Sequence, residues 1–145
     1  MGGQAELDRR PEGVTDATVR AVAKVSEAFE AVEELRGRLY GVHRLVGIAD
    51  FALGEACALL RDAGHRELAD QLEQEVVGRN LIPGHWTFQI VEEFDDGYYA
   101  DFRRLEKAVR DELVQGRRHV YESGLKQDRR TEGLPGHEAT PEDVR

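Results

Sequence analysis

The sequence has few of the features that mark secreted or membrane proteins. Among its 145 residues there is one cysteine, Cys57, so no disulfide can form within the chain. The N-terminal residues lack the basic and apolar segments of a signal peptide. No apolar run approaches the roughly 18–20 residues that a membrane-spanning helix needs. We therefore expect a cytoplasmic protein that has no membrane partner.

Positive charge is also scarce, since the chain carries a net charge of -9 at pH 7. A polyanion repels nucleic acid at long range, so no nucleic-acid partner is expected. The exception is residues 117–130, where five cations meet two acids. Cations near the C-terminus of a helix suit its macrodipole; the alternative is a docking patch for phosphate or an acidic protein partner. That candidate patch consists of Arg117, Arg118, Lys126, Arg129 and Arg130.

The motifs of several well-known sites are missing. There is no His-Glu-x-x-His zinc motif, no P-loop and no Gly-x-Gly-x-x-Gly. The Glu-x-x-His pairs of ferritin-like di-iron bundles do not occur either. The sequence therefore assigns no catalytic residue, requires no cofactor and leaves open whether the protein is an enzyme.

What the sequence does contain is a long apolar seam. Its residues are spaced three or four apart over more than five heptads, which predicts a helix over residues 16–62. We expect this helix to be continuous or slightly bent; the alternative is a break near Gly37 and Gly41. The seam consists of Val22, Val25, Phe29, Val32, Leu35, Leu39, Val42, Val46, Ala49, Leu53, Ala56 and Leu60.

The second half of this helix is apolar on nearly every side. Tyr40, Leu45, Ile48 and Phe51 lie off the seam. A helix that is apolar all round has to be covered all round, and a chain of this size has little material for that. We therefore predict a homodimer with a self-complementary interface.

The rest of the chain predicts two further helices, over 66–80 and 85–123, the latter kinked at Gly97. The alternative for 86–99 is a hairpin turning at Asp95-Asp96-Gly97. The predicted fold is all-α: a long-helix antiparallel bundle with three main helices, of which the second is shorter, completed by dimerisation. Residues 1–14 are predicted to be a flexible arm, 15–123 the bundle domain and 124–145 an irregular tail.

Two polar groups stand out in this apolar setting. Arg36, His43, Asp50 and Cys57 recur every seven residues and form one stripe on the first helix. Burying His43 and Asp50 costs free energy unless each has a partner. The partner is either a structural hydrogen bond that fixes register, including one to a second chain, or a ligand.

The second group lies at the start of the third helix, where polar side chains share a face beside aromatic residues. A solvated helix surface explains it, and so does a ligand site with aromatic walls. With His43 and Asp50, the candidate ligand-binding residues are His85, Trp86, Gln89, Glu92, Glu93 and Tyr98, and the candidate metal ligands are His43, His85 and Glu93.

Two functions remain from this reading. The first is a non-enzymatic helical scaffold or protein-interaction module that acts as a homodimer. The second is a helical bundle that binds a metal or small ligand, including a hydrolase, with a His and carboxylate site between the first and third helices. The two differ in whether the polar groups converge on one cavity.

Overall fold

Helices account for 73% of the described residues, which contain no strand. The computed structural model describes residues 9–139. The all-α class predicted from sequence is therefore confirmed. In chain order the elements are α1 (Asp16–Asp62), α2 (Arg66–Glu75), α3 (Thr87–Phe94), a π-helical turn (Asp95–Tyr99), α4 (Ala100–Val114) and α5 (Val120–Arg129).

Helix α1 is the dominant element and runs without interruption for 47 residues. It begins at a cap in which the Thr15 hydroxyl accepts a hydrogen bond from the backbone N–H of Thr18 at 3.2 Å. It ends at Asp62, and Gly64, two residues later, has a φ of 91°, the left-handed conformation that glycine adopts freely. The continuous helix is confirmed: Gly37 and Gly41, where the break was considered, lie inside it, although each costs roughly 1 kcal/mol relative to alanine.

The second predicted helix is shorter than expected. It ends at Glu75 instead of residue 80, and Gly78 then takes a φ of 73°. The helical spacing of apolar residues continues beyond Glu75, so it did not predict where this helix ends.

The third predicted helix is interrupted at two places. No hairpin forms at Gly97; the helix instead widens into the π-helical turn and resumes as α4. The predicted extension to residue 123 is wrong, because Gln115 and Gly116 take φ values of 57° and 72° and end α4. The Gly116 N–H then donates to the Arg110 carbonyl at 2.8 Å. Residues 124–129, expected to be irregular, belong to α5.

The chain divides into two compact units. Among the described residues, the first consists of 9–31 and 101–139, and the second of Val32–Ala100. The predicted arm over 1–14 and tail over 124–145 fall partly outside the described residues, and the division of the chain into domains stays a prediction.

The first unit has a small core of valines. Val19 and Val22 of α1 pack with Val114 and Val120, and Val109 is packed against them. The apolar seam of α1 thus meets α4 and the start of α5 here.

The second unit has its buried residues on three helices. Cys57 of α1 is 1% exposed, Ala69 of α2 is fully buried, and Val91 of α3 is 5% exposed. A single buried cysteine behaves as a small apolar residue. Among residues 9–139, no helix combines the length and apolar character needed to cross a membrane.

Candidate functional site

The polar stripe on α1 begins at Arg36, which is held by the π-helical turn. Its guanidinium donates from Nε to Asp95 Oδ1 at 2.7 Å and from Nη2 to Oδ2 at 3.0 Å. It also stacks over the rings of Tyr40 and Tyr99, with centroids at 5.3 Å and 4.9 Å. The hydrogen bond from Arg36 lowers the pKa of Asp95 from its ordinary value of 3.8.

Tyr99 adds a second bond between the π-helical turn and α1. Its hydroxyl donates to Glu33 Oε1 at 2.6 Å. Widened turns of this kind are frequent at functional sites, because they redirect side chains that a regular helix would space differently. Here the turn places Asp95 and Tyr99 side by side against one stretch of α1.

The next two residues of the stripe contact segments progressively earlier in the returning chain. His43 Nδ1 lies 2.7 Å from Thr87 Oγ1 at the start of α3. Asp50 Oδ1 accepts a hydrogen bond of 2.7 Å from the backbone N–H of Gly78. Cys57 is the last residue and is buried. The stripe is therefore the line along which residues 78–95 pack antiparallel to α1.

The surroundings of His43 differ from those predicted from the sequence. Its side chain is exposed, so it does not sit in a fully apolar environment. Asp50 is half-buried and satisfied by one backbone donor. Each group has a structural bond within its own chain.

The second predicted group has a local pairing of its own. His85 Nε2 lies 3.6 Å from Glu93 Oε2, and His85 Nδ1 lies 3.3 Å from the carbonyl of Pro83. Glu93 is largely exposed to solvent, with 68% of its side chain accessible. Glu92, one residue earlier, is exposed as well.

The other residues of this group serve the start of α3. The Gln89 side-chain oxygen accepts a hydrogen bond of 3.0 Å from the backbone N–H of Trp86, which is the reach-back contact of a capping box. The Trp86 ring lies 5.1 Å from that of Phe88, and the Tyr98 ring lies 5.9 Å from that of Phe94.

His43 contacts the start of α3 at Thr87, the residue next to Trp86 of the second group. Within residues 9–139, no three His, Cys, Asp or Glu side chains are grouped so that they could hold a metal ion. The metal candidates His43, His85 and Glu93 thus do not form such a group.

The basic patch lies in the first unit, and two of its arginines donate to backbone or side-chain oxygens of the same chain. Arg117 donates to the carbonyl of Arg9 at 2.6 Å, and Arg130 donates to Gln127 Oε1 at 2.8 Å. Lys126 and Arg129 lie in the last turn of α5, where the helix dipole favours cations. Arg118 is exposed in the turn before α5.

Sequence reasoning missed the one buried carboxylate among the described residues. Glu106 is 6% exposed and forms a two-pronged pair with Arg110, at 2.7 Å and 3.1 Å. Ser26 of α1 donates to Glu106 at 3.0 Å, and Arg110 donates to the carbonyl of Gly116 at 3.1 Å. The signal for the pair was its spacing of four residues, which does not reveal burial.

One further surface of the second unit is unusual in being apolar and exposed. We call it the outer face of α1. Phe51 is 78% exposed, Leu59 68% and Leu45 59%. The outer face consists of Tyr40, Leu45, Ile48, Phe51 and Leu59, all at least 48% exposed.

A shallow groove runs along the middle of this face. Its apolar floor is bordered by a cation at one end and a carboxylate at the other. The groove is lined by His43, Arg44, Gly47, Ile48, Phe51, Ala52 and Glu55.

Comparison with known proteins gives no relative: no protein-family model, no curated protein and no solved structure matches this chain.

Proposed function

We propose that the protein is a non-enzymatic helical scaffold or interaction module that works as a cytoplasmic homodimer. The observation that carries the proposal is the exposed outer face of α1. In this proposal the helices form an antiparallel bundle, and a second copy of the chain covers the outer face.

The size of this face supports a protein partner. With ordinary residue surface areas, the exposed surface of its five residues amounts to roughly 600 Å², at the upper end for the largest apolar patch of a monomer. A standard interface buries about 800 Å² on each partner, of which somewhat more than half is non-polar. The outer face is thus large enough to be the centre of an interface.

The polar residues also support a structural role. His43 contacts Thr87 and Asp50 contacts Gly78, each within one chain. His85, which precedes α3, contacts Glu93 of that helix. A ligand site would instead use side chains that converge on one cavity.

Light scattering of the purified protein at micromolar concentration tests the proposal. We expect a dimer for the natural sequence and a monomer for Ile48→Glu, because the substitution places a charge at the centre of the outer face. Leu68→Glu is the matched control: Leu68 is 57% exposed on α2, outside the outer face, so this variant stays dimeric. Circular dichroism verifies that both variants are folded.

A monomer for the natural sequence would overturn the proposal. So would a stoichiometric transition metal in the purified protein that is lost in His43→Ala, since that result favours the ligand-binding alternative.

A further inference from the structure

We infer that the two copies pack their α1 helices antiparallel about a two-fold axis between Ala49 and Asp50. In this arrangement Arg44 of one copy lies opposite Glu55 of the partner subunit. The inference rests on the proposed function and specifies the orientation and register of its interface.

The groove on the outer face is self-complementary in this register. Arg44 and Glu55 are equally distant from the axis, and so are Ile48 and Phe51. An interface between identical chains about a two-fold axis requires such matched pairs, since each contact occurs twice. Eleven residues separate the two charged residues, close to three helical turns, so both project from the same side of α1.

The charges favour the antiparallel orientation. Arg44 and Glu55 are both exposed, and neither forms an ion pair within the described part of the chain. A parallel pair in register would set Arg44 against Arg44 and Glu55 against Glu55, and like charges in such positions repel. The antiparallel pair forms two opposite-charge contacts instead.

The sizes of the side chains fit the same register. Large residues, Ile48 and Phe51, face each other beside the axis, and small residues, Gly47 and Ala52, face each other next to them. A Cβ atom added at Gly47 would meet nothing within 4 Å in its own chain, so the notch at this glycine is open to another chain. Small residues let two helices approach closely enough for the large ones to interdigitate.

Two charge reversals test the register. Arg44→Glu and Glu55→Arg each turn two attractive contacts into two repulsive ones, so each should raise the dissociation constant of the dimer about tenfold. The double variant restores opposite charges and should return the constant to within about threefold of the natural value. In a parallel dimer each residue faces its own copy, so reversing one charge replaces a pair of like charges with another pair of like charges. Neither single change would then weaken association.

Cysteine cross-linking tests the orientation independently. Within an antiparallel dimer the two copies of position 44 lie about 16 Å apart along the helix axis, which is too far for a disulfide. Position 44 instead lies beside position 55 of the partner subunit. Oxidising a mixture of Arg44→Cys and Glu55→Cys chains should therefore give covalent dimers, and neither chain alone should. The natural sequence is the control, because its one cysteine, Cys57, is buried.

The outcomes separate the two claims. If the natural chain is dimeric by light scattering but each single cysteine variant cross-links with itself, the orientation is parallel and the inference fails while the proposed function stands. A dimer in which no variant or mixture cross-links also overturns the inference. A monomeric natural chain overturns both.

Discussion

At the scale of the residue, the contact between Glu106 and Arg110 is the most consequential in the first unit. Both side chains are nearly buried, with 8% and 12% of their surface accessible. They link α1, through Ser26, to the turn at Gly116. The free energy of such a pair depends on both partners, because removing one leaves the other buried without compensation.

We expect Arg110→Met to lower the free energy of unfolding by about 3 kcal/mol, since the Glu106 carboxylate then loses its cation. Replacing both residues, as in Glu106→Leu with Arg110→Met, should recover most of that loss, because no buried charge remains. Urea denaturation of the natural chain and both variants measures the difference. Equal destabilisation by the single and double changes would contradict this account.

Asp95 gives a prediction about pH. Its pKa is lowered in the folded protein, first by the hydrogen bond from Arg36. A carboxylate of this kind contributes stability above its ordinary pKa of 3.8, and the contribution is lost as the pH falls through the lowered folded value. Asp95→Asn should therefore be less stable than the natural chain at pH 7, with the gap closing as acid is added. Urea denaturation across this range is the measurement, and a gap that stays constant down to pH 3 would count against the contact.

At the scale of the element, the sequence predicted what the apolar spacing controls. The long seam correctly predicted α1, because the seam residues between 22 and 60 are all spaced three or four apart, as on one face of a helix. The break after Val114 was missed, since it depends on Gln115 and Gly116 adopting left-handed conformations and no proline marks it. The predicted kink at Gly97 located the irregular segment, but its form, a π-helical turn over Asp95–Tyr99, was not predicted.

Two glycines test these element boundaries in opposite directions. Gly116 has a φ of 72°, and an added Cβ would lie 2.9 Å from Asp111 Oδ1, so Gly116→Ala should cost about 1–2 kcal/mol of stability. Gly97 has no such conformation, and its Cβ would meet nothing within 4 Å. Gly97→Ala should therefore stabilise the protein by about 0.5–1 kcal/mol. Thermal unfolding of the two variants should shift in opposite directions, and a stable Gly116→Ala would disprove the role assigned to that turn.

At the scale of the whole molecule, the sequence located the polar stripe but not its partners. His43 and Asp50 were correctly singled out as needing a bond, yet Thr87 and Gly78 lie 44 and 28 residues away along the chain. Helical periodicity specifies which residues share a face, and it carries no information about which distant segment packs there. The burial of Glu106 and Arg110 was missed for the same reason, because it depends on which distant segment packs over them.

If two copies associate through the outer face, folding and association are coupled. The midpoint of thermal unfolding should then rise with protein concentration, because a partner that binds only the folded chain stabilises it by mass action. Ile48→Glu should abolish this dependence. Differential scanning calorimetry over a hundredfold range of concentration provides the measurement, and a midpoint independent of concentration in the natural chain would argue against a dimer in that range.

The polar stripe of α1 also has a consequence for how the chain finds its native alignment. An apolar seam repeats every seven residues, so it stabilises a neighbouring segment almost equally well after a slip of one heptad. The four stripe residues, however, are chemically different. A slip of one heptad would move Asp95 from Arg36 to His43. It would also move the Gly78 N–H from Asp50 to Cys57, whose sulfur accepts hydrogen bonds weakly. Cation, imidazole, carboxylate and thiol follow one another in an order that does not repeat. Each heptad of the otherwise periodic surface of α1 therefore favours a different contact, and the native alignment is distinguished from a slipped one.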